Sequence, residues 1–201
     1  GFRNLNGVMS VTIPDSVTKL NAYAFSGCTN LISVNIPEGV TSIGKSAFAG
    51  CTKLVSINIP KNVTSISNYT FQNCTSLQTV ELPDGVTSIG TNAFQNCTAL
   101  QSIKISDGVT SIPDYAFQNC TTLQIVELPD SVASIGSYAF DGCKGLISIS
   151  IPDNVTSIGG YAFRNCSNLS NITIPKSLTS LSTSVFEGCV GLTNIVIPDN
   201  I

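Results

Sequence analysis

The chain has 201 residues and a net charge of −3, with 42% hydrophobic residues and only 10% charged, against roughly 25% charged in an ordinary soluble domain. No cluster of Lys or Arg occurs, which argues against nucleic acid or an anionic membrane surface as the main partner, since both need concentrated positive charge. There is no histidine, which removes Ser-His-Asp and Cys-His nucleophiles and histidine metal sites, and no apolar run approaches the ~20 residues of a membrane span.

From its start the chain is periodic. Cys28, Cys51, Cys74, Cys97, Cys120, Cys143, Cys166 and Cys189 follow one another at intervals of 23 residues. A phenylalanine stands three residues before each and a leucine three residues after, and Phe2 and Leu5 extend the pattern backwards. Complete units begin at residues 14, 37, 60, 83, 106, 129, 152 and 175, with partial units at 1–13 and 198–201 and no insertion anywhere. The opening Gly1-Phe2-Arg3-Asn4 carries no apolar leader. The chain begins and ends in mid-repeat, so it is expected to be part of a longer protein, with core exposed around Phe2 and at Ile201.

Within the unit Pro83–Ile105, Pro83-Asp84-Gly85 reads as a turn. Val86-Thr87-Ser88-Ile89 is β-branched and reads as a short extended piece. Gly90 to Cys97 carries apolar residues at Ala93, Phe94 and Cys97, a spacing that predicts about two helical turns. Pro113, in the place of Gly90 one unit later, suits the first position of such a helix. Leu100-x-x-Ile103-x-Ile105 alternates apolar and polar residues before the next turn, which predicts a strand, in the preceding unit near residues 79–82. Inward columns are then Val86, Ile89, Ala93, Phe94, Cys97, Leu100, Ile103 and Ile105 with their equivalents. One unit buries too little to fold alone, whereas stacked units share a core and a parallel ladder.

The Leu-x-x-Ile-x-Ile strand resembles that of leucine-rich repeats, and the 23-residue unit with Ile-Gly-x-x-Ala-Phe-x-x-Cys resembles the Treponema-type, BspA-like variant. The resemblance covers essentially the whole chain. It implies an α/β, right-handed leucine-rich-repeat solenoid, with the parallel strand ladder on the concave face and short helical turns opposite. It also implies a secreted or cell-surface setting and adhesion to host proteins or other microbes, with no catalytic residue to carry over. The sequence departs from the pattern at Ser106 (for proline), Thr70 and Val185 (for alanine) and Lys176 (for the acidic residue), positions expected to touch the core little.

The cysteines read as buried free thiols. None are two to four residues apart as in zinc sites, and an in-register column holds neighbouring Cβ atoms farther apart than a disulfide requires. Asp15, Glu38, Asp84, Asp107, Asp130, Asp153 and Asp199 recur after the proline, where a carboxylate is ordinary turn chemistry, so no metal and no cofactor is expected. Sequons such as Asn62, Asn73, Asn96, Asn119 and Asn154 follow from the repeat consensus.

Two features remain that suit recognition. The outward positions of the strand row carry Glu81, Lys104 and Glu127 beside an exposed Ile125, with small neutral residues on either side. All five tyrosines share one column, two residues before the phenylalanine, so a helix that turns Phe inward turns Tyr outward, making a Tyr115–Tyr138–Tyr161 stripe. The expected function is a non-catalytic surface or secreted module that binds a protein or glycan on a host or microbial surface, with the strand face favoured. The alternative is a targeting or spacer domain of a larger secreted enzyme.

Overall fold

The computed structural model describes residues 1–201 as one stacked coil without a single helix. Two rows of short parallel strands run along it. The first holds β1 (Ser10–Thr12), β3 (Ser33–Asn35), β5 (Ser56–Asn58), β7 (Thr79–Glu81), β9 (Ser102–Lys104), β11 (Ile125–Glu127), β13 (Ser148–Ser150) and β15 (Asn171–Thr173). The second holds β2 (Lys19–Leu20), β4 (Ser42–Ile43), β6 (Ser65–Ile66), β8 (Ser88–Ile89), β10 (Ser111–Ile112), β12 (Ser134–Ile135) and β14 (Ser157–Ile158). Paired residues differ by 23, as Lys104↔Glu127 and Asn58↔Glu81 show. The strands expected near 79–82 and at equivalent positions therefore form, except in the last coil near residues 194–196.

Between the rows the proline turn closes as its residues demand: Val86 N–H donates to Pro83 O at 3.0 Å. The alternation of strand residues sends Val80, Ile103 and Val126 inward and leaves Glu81, Lys104 and Glu127 in water. Phenylalanine, cysteine and leucine columns close a single core of 55 buried residues. Nine phenylalanine rings stack along it with centroids 5.3–5.9 Å apart. The expected inward columns hold through the middle coils, with Leu82 and Leu128 only half-buried. They loosen toward the ends, where Val11, Val17, Val34, Leu181, Phe186, Leu192 and Ile195 are half-buried and Ile197 is exposed. Phe2, at 54% exposure, and Ile201, at 38%, are open as expected.

The helical turns do not form. Residues 90–97 make successive tight turns in which Ala93 N–H donates to Gly90 O and Cys97 N–H to Phe94 O. Asn92 and Asn96, third in those turns, sit at φ +57° and +60°, the geometry of type II turns and incompatible with a right-handed helix. Alternate N–H groups leave the coil altogether: Asn92, Phe94 and Asn96 donate to Asp114 O, Ala116 O and Gln118 O of the next coil at 3.2, 2.9 and 2.8 Å. Eight residues are too few for a stable helix by themselves, and the neighbouring coil offers a carbonyl at each step. The fold is an all-β parallel solenoid, and Pro113 opens the turn to Ala116 instead of starting a helix. Gly136 lies in the same column, where a Cβ would come within 2.5 Å of Asp114 N.

Three departures from the repeat pattern lie in the core wall, contrary to expectation. Thr70 and Val185 are 0% and 3% exposed, and Ser106 6%. The two hydroxyls are tolerated because each has an acceptor: Thr70 Oγ1 donates to Ser67 O at 2.7 Å, and Ser106 Oγ to Pro83 O at 2.9 Å. Lys176 is exposed.

Candidate binding faces

On the strand face, Lys104 and Glu127 stand in register on β9 and β11, and Ile125 is 56% exposed. The first-row strands pair two by two, β5 with β7 and β9 with β11, which leaves a seam between β7 and β9. Over that seam lies a depression of about 380 Å³, lined by Glu81, Asp84, Lys104 and Asp107 among others. A second, of about 460 Å³, adjoins it through Glu81, Leu82 and Asp84 and adds Glu38 and Lys61. None of these charges lies within 4.0 Å of an opposite one, because the single ion pair of the chain is elsewhere. Ile147, 53% exposed in the coil after Ile125, was missed in the sequence because its column is polar in the coils on either side, at Gln124 and Ser170. The turn acids Asp84, Asp107, Asp130 and Asp153 point to water, one per coil.

The tyrosine face is built differently. Tyr115, Tyr138 and Tyr161 point outward and are half-buried, but by turn geometry and not by helical rotation. All five tyrosines occupy left-handed backbone, with φ between 58° and 61°, a region costly for a bulky side chain. Each has an aromatic or cationic partner that offsets the cost. Tyr138 stacks on Tyr115 and Tyr161 at 5.0 and 4.9 Å, while Arg3 covers Tyr23 and Lys45 covers Tyr69 at 5.2 and 5.3 Å. Arg164 lies 5.2 Å from both the Tyr138 and the Tyr161 ring centroids.

Beside the stripe runs a polar ladder that the sequence reading overlooked. Gln72 donates to Gln95 at 2.6 Å, Gln95 to Gln118 at 2.5 Å and Gln118 to Asp141 at 2.9 Å. Arg164 closes the ladder on the Asp141 carboxylate and has its own pKa raised by that hydrogen bond. The signal was present: the residue after each phenylalanine forms one column, so Asp141 and Arg164, 23 apart, must meet. A polar depression of about 650 Å³ flanks them, bordered by Lys144, Asn119 and Asn165.

All eight cysteines are free and buried. Each thiol donates to the carbonyl of the phenylalanine 26 residues earlier, as Cys97 Sγ does to Phe71 O at 3.1 Å. Burial pushes the Cys51 and Cys97 thiols up to about 12, so they are poor nucleophiles and suit a core role. No three Cys, Asp or Glu side chains converge on a metal-sized point, and no helix is long and apolar enough to cross a membrane.

The family model described as BspA type Leucine rich repeat region matches in six copies over residues 1–124 and 87–201. Among solved structures, the chain is similar to a leucine-rich-repeat protein of T. pallidum, with 35% identity and a TM-score of 0.70, covering 72% of this chain and 68% of that one. A leucine-rich repeat protein from Bacteroides ovatus matches at 29% identity and a TM-score of 0.52, over 100% of this chain and 75% of that one. One from Eubacterium ventriosum matches at 25% identity and a TM-score of 0.53, over 94% and 66%. No curated protein matches. With the repeat geometry and the family model agreeing along its whole length, the chain belongs to the BspA-type leucine-rich-repeat family.

Proposed function

We propose that the chain is a non-catalytic binding module, secreted or displayed at a cell surface, that holds a macromolecular partner on its strand face at Glu81, Lys104, Ile125 and Glu127. The observation that carries this reading is the pair of contiguous depressions along that face, rimmed by charges that form no ion pair inside the chain. Unpaired charges beside exposed isoleucine are free to meet a partner, and charge complementarity governs encounter and register more than raw affinity. Membership of a repeat family known for surface proteins supports the location and the class of function. The tyrosine stripe is the weaker candidate, because its ring faces are already spent on one another and on Arg164.

Two triple variants test the reading in a binding assay against host matrix proteins and bacterial cells. Glu81→Ala/Lys104→Ala/Glu127→Ala is expected to lose binding, and Tyr115→Ala/Tyr138→Ala/Tyr161→Ala to keep it once folding is verified. The opposite result moves the site to the tyrosine face. Full binding by both, or no binding by the parent chain, favours a targeting or spacer domain of a larger secreted enzyme.

A further inference from the structure

Resting on the strand-face reading of the function, we infer that the face takes an extended basic polypeptide segment laid along the solenoid axis, with an Arg or Lys side chain in the β7–β9 seam and an apolar side chain over Ile125. The joined depressions bring four carboxylates, Glu38, Glu81, Asp84 and Asp107, against two lysines, Lys61 and Lys104. No ion pair neutralises any of them, so the seam favours a cation and repels an anion. Half-buried Leu82 gives the depression an apolar patch, which suits the methylene stem of a long basic side chain whose charged head stays at the rim.

Ser106 lines the same depression. It stands where the other units carry proline, and its hydroxyl is turned away to Pro83 O. Distance then sets the spacing in the partner. The coils repeat at about 4.8 Å, so the seam lies one and a half coils, or about 7 Å along the axis, from the β11 strand. A long basic side chain placed there spans the two further strand residues from the level of Ile125 to that of Glu81. Two residues of extended chain cover about the same distance and put both side chains on one face. The segment therefore carries its apolar and basic side chains two residues apart. A neutral glycan is disfavoured here because this face offers no aromatic platform, all tyrosines being on the other side.

The probe is a fluorescein-labelled, amidated peptide Ser-Leu-Ser-Arg-Ser-Gly, titrated against the whole 201-residue chain and followed by anisotropy. Weak, saturable, salt-sensitive binding is expected. Glu81→Gln/Asp84→Asn should weaken it about fivefold, Lys104→Gln should strengthen it about twofold, and Ile125→Ser should weaken it about threefold. Equal binding of a peptide with Glu in place of Arg overturns the inference, as do an absence of saturable binding, an unchanged affinity in Glu81→Gln/Asp84→Asn, or preferential binding of maltoheptaose. Should the strand-face triple variant lose its macromolecular partner while the peptide does not bind, the face stands and the basic partner falls. Should that variant keep full binding, both fall.

Discussion

Arg164 grips Asp141 across adjoining coils, its Nε and Nη2 each donating to one carboxylate oxygen at 2.9 Å. The Asp141 side chain is only 4% exposed, and a carboxylate so placed is stable because Gln118 supplies a further donor. Breaking one side of such a pair leaves the other unsatisfied.

Arg164→Ala is therefore expected to destabilise by about 1–3 kcal/mol, below the fully buried range because the arginine keeps a wet edge. The Asp141→Ala/Arg164→Ala double variant should cost less than the two single changes summed. Urea denaturation of the four chains reads the coupling; strict additivity would show that the pair contributes nothing to the fold.

Asn96 discriminates turn from helix. Its φ of +60° is tolerated by Asn and Gly and resisted by Ala. Asn96→Ala should cost about 1 kcal/mol more than Asn96→Gly, since both lose the bond to Asn73 and differ mainly in backbone strain. A helix would give the reverse order, because Ala is the best helix former. Thermal midpoints of the two variants decide it.

Tyr138 sits where backbone cost and aromatic stacking oppose each other, with φ +58° against two ring partners and an arginine. Stacking and cation–π contacts together outweigh the strain, so Tyr138→Ala should destabilise by about 1–2 kcal/mol. Tyr138→Asn should cost less, since Asn tolerates left-handed backbone. Equal losses in the two variants would mean that the left-handed position carries no strain.

The thiols make stability fall in alkali. Burial raises Cys51 and Cys97 from 9.0 to about 12, and raises Cys74 and Cys120 as well. Above the unfolded value the unfolded chain has released protons that the native chain retains, so each further pH unit favours unfolding by about 1.4 kcal/mol per such thiol. Under reducing conditions the urea midpoint should be flat to about pH 8.5 and fall steadily above it. Cys97→Ala should lessen the slope while destabilising at neutral pH by about 1–3 kcal/mol. Cys97→Ser keeps a donor for Phe71 O and should be milder than a buried unpartnered hydroxyl. A midpoint independent of pH through 10 would mean that the native thiols ionise freely.

The 23-residue period by itself determined the repeat architecture, the inward columns and the parallel register. Each of Phe94, Cys97, Leu100 and Ile103 belongs to a column of like residues, and in a stack the inner members of such a column are buried together, while end members such as Phe2 open to solvent. Strand positions were legible because alternation before a proline has one physical meaning. Residues 90–97 were not, since Ala93, Phe94 and Cys97 have a helical spacing and yet lie in turns. What decided between the two was the next coil, whose carbonyls accept the N–H groups of Asn92, Phe94 and Asn96 and so make a free-standing helix unnecessary. Tertiary structure alone also set the pairwise grouping of first-row strands, and with it the β7–β9 seam beneath Glu81 and Lys104. A repeat specifies neighbours that are equivalent, whereas a seam depends on which equivalent neighbours draw together.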